Sequence, residues 1–394
     1  MGDASPLVRD PRYRSLDLWR GLACLMVVVH HAGFIVDGRD LSPLTNDHAW
    51  RALAVGFFKR MELGVPLFFV ISGYCIAASA DLTRRKGLSP WTFLVRRVRR
   101  IYPPYWAALA LFVVFCGSLD LAGLSRFHKG DHALELASPG ELNLSQWVGN
   151  LTLTESWRPH VWGSYESIYT RIAWSLCYEE QFYALCFLAL LIAPKRLYAI
   201  LTTATALILL IRVAAWDSGG IGGLSGTFVI FWHQFALGLA VYYRLNVAAT
   251  PLARRIGEIV PIGLFGVAAA TGDTSSAVAS AFALILIALR LWEDRASPAS
   301  GETNERPERR TPFWIRGLHA CGVRCYSIYL AHLPVCVAGN LLMYEWGFRS
   351  FWSRVWVVAP TVSCVAVAFC FGFFEVVERR FLNPPARPAR QTSD

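Results

Sequence analysis

The sequence predicts an all-α, polytopic membrane protein with about ten transmembrane helices and both termini in the cytoplasm. Of its 394 residues, 55% are hydrophobic and only 17% charged, with a mean hydropathy of +0.39. Apolar runs long enough to approach a bilayer's thickness recur from residue 18 to residue 376, which is the pattern of repeated spans and not of a soluble core. Most connections between the runs are too short to fold independently, so one membrane domain over 1–381, followed by a cytoplasmic tail over 382–394, accounts for the length.

The spans are expected at 16–36, 64–80, 103–124, 172–193, 197–216, 226–243, 258–271, 277–293, 322–343 and 353–376. An even number returns both ends to one side. With the N-terminus in the cytoplasm, 27 of the 38 Lys and Arg residues fall on that side and ten on the other, leaving Arg212 inside a span. The positive-inside bias therefore orients the chain. It also accounts for the net charge of +10, and nucleic acid is not an expected partner. The basic N-terminus is read as preceding a retained first span, because Asp17 and Arg20 interrupt the apolar run and no small-residue cleavage pattern follows its early half.

Between the spans, 125–171 is the one long connection, with Asp131, Glu135, Glu141, Glu155 and Glu166. It is expected outside, folding over the mouth of any site. Asn143-Leu-Ser and Asn150-Leu-Thr within it match the glycosylation tripeptide. Residues 294–312 are rich in Pro and charge and lack apolar periodicity, the signature of a flexible cytoplasmic loop. The ten cysteines lie mostly within apolar runs, where they act as small apolar filler. Cys321 and Cys325 lack a second ligand pair at zinc-site spacing, so no metal is expected.

Chemistry-bearing residues stand out against this apolar background. Arg20 and His31 are eleven residues apart in the first span, so on an α-helix they share a face and lie about 16 Å apart along the axis, whereas His30 points about 80° away. Ionisable groups inside a bilayer are costly and face a protein interior or a wet cavity. A neutral imidazole suits removal of a hydroxyl proton, although a hydrogen-bonded structural histidine explains the residue equally well. Arg96, Arg97, Arg99 and Arg100 stand at the cytoplasmic entrance of the third span. Arg97 and Arg100 share a helical face, which suits the phosphates of a cytoplasmic cofactor such as an acyl-coenzyme A; anchoring to anionic lipid headgroups is the competing account. In the fourth span Ser175, Glu179 and Tyr183 align, and Glu180 points about 100° away. His332 follows Tyr329 in the ninth, with a structural role in competition with a chemical one. His233 and Arg212 are further intramembrane polar residues. Neither a phosphate-binding loop nor a G-x-S-x-G elbow is present.

Six ordered elements resemble the acyltransferase 3 family of transmembrane acyltransferases: Asp17 with Arg20 and His31; GVPLFFVISGY at 64–74; Arg97, Arg100 and Pro103; Trp174 to Tyr183 with Glu179 at the acidic position; Tyr326 to Pro334 with His332; and FFEVVERRF at 373–381. Pro66 departs from the family's usual acidic or polar residue. The chain is similar to the stand-alone form, without a fused hydrolase-like domain.

The resemblance implies an enzyme that moves an acyl group, usually acetyl from acetyl-CoA, onto a hydroxyl of a carbohydrate or glycan acceptor at the extracytoplasmic face of a bacterial cell membrane. On that reading His31 is the general base, Glu179 and His332 support it, Arg20 lines the donor route, and Arg97 and Arg100, with Arg96 beside them, hold donor phosphates. Membrane lipids surround it, and acceptor recognition falls to the membrane domain, its outer loops, a separate partner protein or a second copy of the chain. A transporter or flippase of a glycan or lipid-linked intermediate is the alternative that needs no covalent chemistry.

Overall fold

The computed structural model describes residues 15–34, 49–123, 137–163, 165–217, 220–296 and 312–382. The two terminal stretches and 297–311, most of the expected cytoplasmic loop, lie outside the described residues. The start of that loop is corrected, because 294–296 complete a helix.

Helix α1 (Leu16–Phe34) is followed by α2 (Ala49–Arg60), which runs through a 3-10 turn into α3 (Gly64–Arg85). α4 (Pro90–Leu121) has 32 residues and is about 48 Å long. It opens with Ser89 accepting from the Trp91 amide at 3.3 Å and with Pro90 at the first helical position, where a missing N–H costs nothing. Two short helices, α5 (Leu144–Leu151) and α6 (Arg158–Trp162), belong to the long outer connection. There follow α7 (Trp174–Ile192), α8 (Leu197–Asp217), α9 (Trp232–Asn246), α10 (Pro251–Thr271), α11 (Thr274–Ala296), α12 (Phe313–Val323) and α13 (Cys325–Glu345). The last span comprises α14 (Phe351–Ser353), a π-turn and α15 (Ala359–Val376). No strand occurs among the described residues.

Seven stretches among the described residues are long and apolar enough to cross a membrane: Ala49–Arg85, Pro90–Leu121, Arg171–Ile192, Pro194–Ala215, Thr274–Glu293, Cys325–Glu345 and Phe351–Val376. Each contains or overlaps an expected span. The remaining three expected spans correspond to α1, α9 and α10, which fall outside that set.

The expected span 226–243 is the one the structure redraws. Residues 225–231 are turns, and α9 has only 15 residues, about 22 Å against a hydrocarbon core of about 30 Å. Irregular backbone survives beside spans only where its polar groups find protein partners. Here Gly226, at φ +79°, donates its amide to the Tyr178 hydroxyl at 2.9 Å, and its carbonyl accepts from Gln181 at 3.0 Å and Ser156 at 3.1 Å. The Phe228 amide donates to Gln181 Oε1 at 2.7 Å.

α9 is buried along its whole first half, Trp232 to Leu239. It lies backbone to backbone on α3: a Cβ on Gly73 would collide with the Phe235 carbonyl oxygen, and one on Gly238 with that of Val70. Close approach at small residues is how membrane helices gain packing where lipid offers no hydrophobic drive. α1 lies inside against α3, α12, α13 and α15, with Ala23, Cys24, Val27 and Val28 fully covered. α8 and α10 turn Leu207, Leu210, Val213, Ile256, Ile259 and Ile262 outward, the composition of a lipid-facing surface.

Candidate active site

At the end of α1 opposite Arg20, a cavity of about 650 Å³ opens between α1, α3, α7 and α13, lined by His31, Glu166, Ser167, Arg171, Trp174 and Tyr329 among others. That volume is typical of a small-molecule site. His31 lies in the last turn of α1, and its neighbour His30 is turned aside to the Phe58 carbonyl at 2.9 Å.

His31 Nδ1 lies 3.1 Å from His332 Nε2, bringing together residues 301 positions apart. His332 is fully buried. Its Nδ1 is 2.8 Å from both the Ile328 and Tyr329 carbonyl oxygens, which only accept, so Nδ1 carries the proton and neutral Nε2 is an acceptor. His31 Nδ1, also 2.9 Å from the Val27 carbonyl, must then be the donor. Donation therefore runs from His31 to His332 to the two carbonyls, leaving the lone pair of His31 on Nε2. One wall of the cavity is held by Tyr329, whose hydroxyl donates to the Ile172 carbonyl at 2.8 Å and accepts from Ser175 Oγ at 2.5 Å.

One turn further along α7, Glu179 accepts from Ser72 Oγ at 2.5 Å and from the Tyr183 hydroxyl. Neither imidazole is among its partners, so it does not itself orient His31. The residue that backs His31 is His332. Glu180 sits apart, beside Tyr102.

Towards the other end, the two basic elements converge on one residue. Arg20 Nη2 donates to Cys75 Sγ at 2.8 Å, and Arg97 Nη2 donates to the Cys75 carbonyl at 3.1 Å. Asp17 fixes Arg20 at 2.8 Å, and the Arg97 guanidinium lies 5.2 Å over the Tyr183 ring. Arg100 turns inward too, towards Glu378. Burial raises that carboxyl above the usual carboxylate range, opposed by the Ser327 hydroxyl and by Arg100. Arg96 and Arg99 are exposed. The face shared by Arg97 and Arg100 is thus the inner one, and Arg96 stands off it.

The sequence profile of the acyltransferase 3 family, described as an acyltransferase domain, matches residues 13–375. The chain belongs to this family. It is 27% identical over 347 residues to a protein of Komagataeibacter xylinus named as membrane-bound transacylase BcsY, an alignment covering 84% of this chain and 75% of that one. It is also 33% identical over 143 residues to protein 2 of the picA locus of Rhizobium radiobacter, covering 36% of this chain and 64% of the relative. No solved structure matches. The protein is an integral membrane acyltransferase.

Several residues of this candidate site carry no role in the sequence reading. Ser72 lies within GVPLFFVISGY, a run that reads as apolar. Cys75 reads as filler, and nine of the ten free cysteines do lie at least partly covered. Trp174 opens one of the family elements, but its place beside His31, with Arg171 and Glu166 from the entry into α7, is visible only in space. The Asn150 glycosylation tripeptide takes another role: Asn150 is 2% exposed, its amide donating to the Ser167 and Gln146 carbonyls at 2.8 and 2.9 Å. A side chain so enclosed is no acceptor for a glycan. Asn143 caps α5. Arg212 bonds the Ile230 carbonyl and pairs with Asp273 at 3.7 Å, while His233 bonds Ser276 at 2.5 Å; both stand in a separate cluster on α8, α9 and α11. No group of three or more metal-ligating side chains occurs among the described residues.

Proposed function

We propose that this acyltransferase moves an acetyl group from cytoplasmic acetyl-CoA to a hydroxyl of a carbohydrate or glycan acceptor at the outer face of a bacterial cell membrane, with His31 as general base. The observation that carries this reading is the 3.1 Å His31–His332 pair at the wall of the cavity. It leaves His31 Nε2 unprotonated and able to take a hydroxyl proton.

In the reaction the acceptor oxygen attacks the thioester carbonyl carbon as its proton passes to His31 Nε2. The tetrahedral intermediate collapses, the carbon–sulfur bond breaks, and the coenzyme thiolate leaves with the proton returned from His31. Arg97 and Arg100 hold the donor's phosphates at the cytoplasmic entrance. Arg20, about 16 Å below His31, lines the route taken by the pantetheine arm. Glu179 holds Ser72 and Tyr183 between the two ends and balances the nearby guanidinium charge. Proton transfer by a positioned base contributes about a hundred- to ten-thousandfold in rate.

The test is purified protein in liposomes with labelled acetyl-CoA and candidate acceptors. His31→Ala is expected to lower acceptor labelling by about a hundredfold or more, with donor binding retained. Acceptor labelling at the wild-type rate in His31→Ala overturns the base assignment.

A further inference from the structure

The stretch that leads into α7 is irregular, yet its backbone is tied by buried side chains. Residues 165–168 form no regular structure and continue through Tyr169 and Thr170 into a 3-10 turn at Arg171–Ala173. Its Ser167 amide donates to Glu155 Oε1 at 3.0 Å and its Ser167 carbonyl accepts from Asn150 Nδ2 at 2.8 Å. Two residues on, the Tyr169 amide donates to Asn150 Oδ1 at 2.8 Å. Glu155 is in turn gripped by Arg158, whose Nε and Nη2 donate to its two carboxylate oxygens at 3.0 Å each. Glu155, Arg158 and Asn150 are 0%, 3% and 2% exposed. Gly149 makes the room, since a Cβ there would collide with the Glu155 carboxylate.

A buried ion pair is a poor source of stability, because desolvation offsets most of the Coulombic gain. Its effect here is geometric: with both backbone groups of Ser167 tied, the flanking residues cannot slide. Those residues, Glu166, Ile168 and Arg171, form the cavity's rim facing His31 and Trp174. The rim carries one carboxylate, one guanidinium and one indole. Burial raises the Glu166 carboxyl above its usual range, opposed by His160, while Glu155 adds to the rise. A carboxylate accepts hydroxyl protons, a guanidinium donates to hydroxyl oxygens in a fixed fork, and an indole face packs on apolar C–H surface. An anionic ligand would lose to Glu166 what it gains from Arg171, and a purely apolar one would strand both charges. The set fits a neutral, polyhydroxylated ring.

We infer that residues 165–171 are the acceptor-recognition element of the outer cavity: Glu166 and Arg171 bind hydroxyls of a neutral sugar ring lying against Trp174, and the Glu155–Arg158 pair is the positioning device that fixes this rim over His31. The inference rests on the reading that the acceptor meets His31 in this cavity.

The experiment uses full-length protein in liposomes with labelled acetyl-CoA and four acceptor probes: maltotetraose, cellotetraose, tetragalacturonate and phosphatidylglycerol. Acylation of a neutral tetrasaccharide is expected. Glu166→Gln and Arg171→Gln are expected to raise its KM tenfold or more, with donor KM unchanged. The double variant Glu155→Leu with Arg158→Met, which leaves no unpaired buried charge, is expected to raise acceptor KM likewise, and a charge-preserving Glu155→Asp to recover part of it. Unchanged acceptor KM in both rim variants overturns the inference, as does a rise in donor KM instead. So does a wild-type enzyme that labels or binds only the acidic saccharide or the phospholipid, or none of the four. Inert rim variants beside an inactive His31→Ala defeat this inference alone; raised acceptor KM beside a fully active His31→Ala defeats the base assignment alone.

Discussion

Replacing His332 by leucine removes its acceptor nitrogen and its Nδ1–H donor to the Ile328 and Tyr329 carbonyls, which the helix's own amides also serve. The site is fully buried, so an alanine would add a cavity and a destabilisation of about 2–5 kcal/mol, whereas leucine keeps most of the volume. What is lost is one of two acceptors for His31 Nδ1–H, the one across 3.1 Å, while the Val27 carbonyl at 2.9 Å remains. In the resting enzyme that is a neutral hydrogen bond, with a net value of about 0.5–1.5 kcal/mol; once His31 has taken the acceptor proton it becomes charge-assisted, about 1.5–3 kcal/mol. Only the difference lowers the barrier. It amounts to about 1–1.5 kcal/mol, or about tenfold in rate. The Val27 carbonyl, 2.9 Å from His31 Nδ1, only accepts and keeps the proton on that nitrogen, so no further loss is expected. At saturating acetyl-CoA and acceptor, His332→Leu is therefore expected to cut kcat about tenfold with donor KM unchanged. His332→Gln, which offers a carbonyl oxygen, is expected to recover part of that loss. An unchanged kcat in His332→Leu refutes the argument that His332 stabilises the protonated His31. A loss as deep as that of His31→Ala refutes it differently, by making His332 the proton acceptor.

Two further outcomes are expected. Arg97→Met and Arg100→Met should each raise the KM for acetyl-CoA by about tenfold, the scale of one charge-assisted phosphate contact, while the KM for dephosphorylated acetyl-pantetheine stays at its wild-type value; steady-state kinetics with the two donors checks this. Gly238→Ala places a Cβ against the Val70 carbonyl oxygen and should destabilise the α3–α9 contact by about 1–3 kcal/mol, seen as a lower midpoint in detergent thermal denaturation, whereas Gly263→Ala, with open space around it, should not.

Much of this architecture was legible in the sequence because its signals are local. Hydropathy depends on composition within a window, and helical period places Arg20 with His31 and Arg97 with Arg100 on common faces without any tertiary information. Those two inferences place Arg20, Arg97 and Arg100 towards one end of the domain and His31 towards the other. Periodicity failed at 226–231, where an apolar run that reads as the start of a span is instead a set of turns, held by Tyr178, Gln181 and Ser156 from distant parts of the chain. The Asn150 tripeptide likewise says nothing of the carbonyls that enclose its side chain.

The sequence by itself determined an all-helical chain with repeated membrane spans, the family, and the candidate residues His31, His332, Arg20, Arg97, Arg100 and Glu179, because hydrophobic windows, charge bias and motif spacing are short-range properties. Only the tertiary structure decided which of those residues meet. It paired His31 with His332 rather than with Glu179, set Arg20 and Arg97 on either side of Cys75, and laid the Glu155-anchored rim over the cavity. The physical reason is the bilayer itself. A polar group within it needs a protein or water-filled surrounding, and in a bundle of many spans the partner that satisfies it can come from any helix, at any separation along the chain.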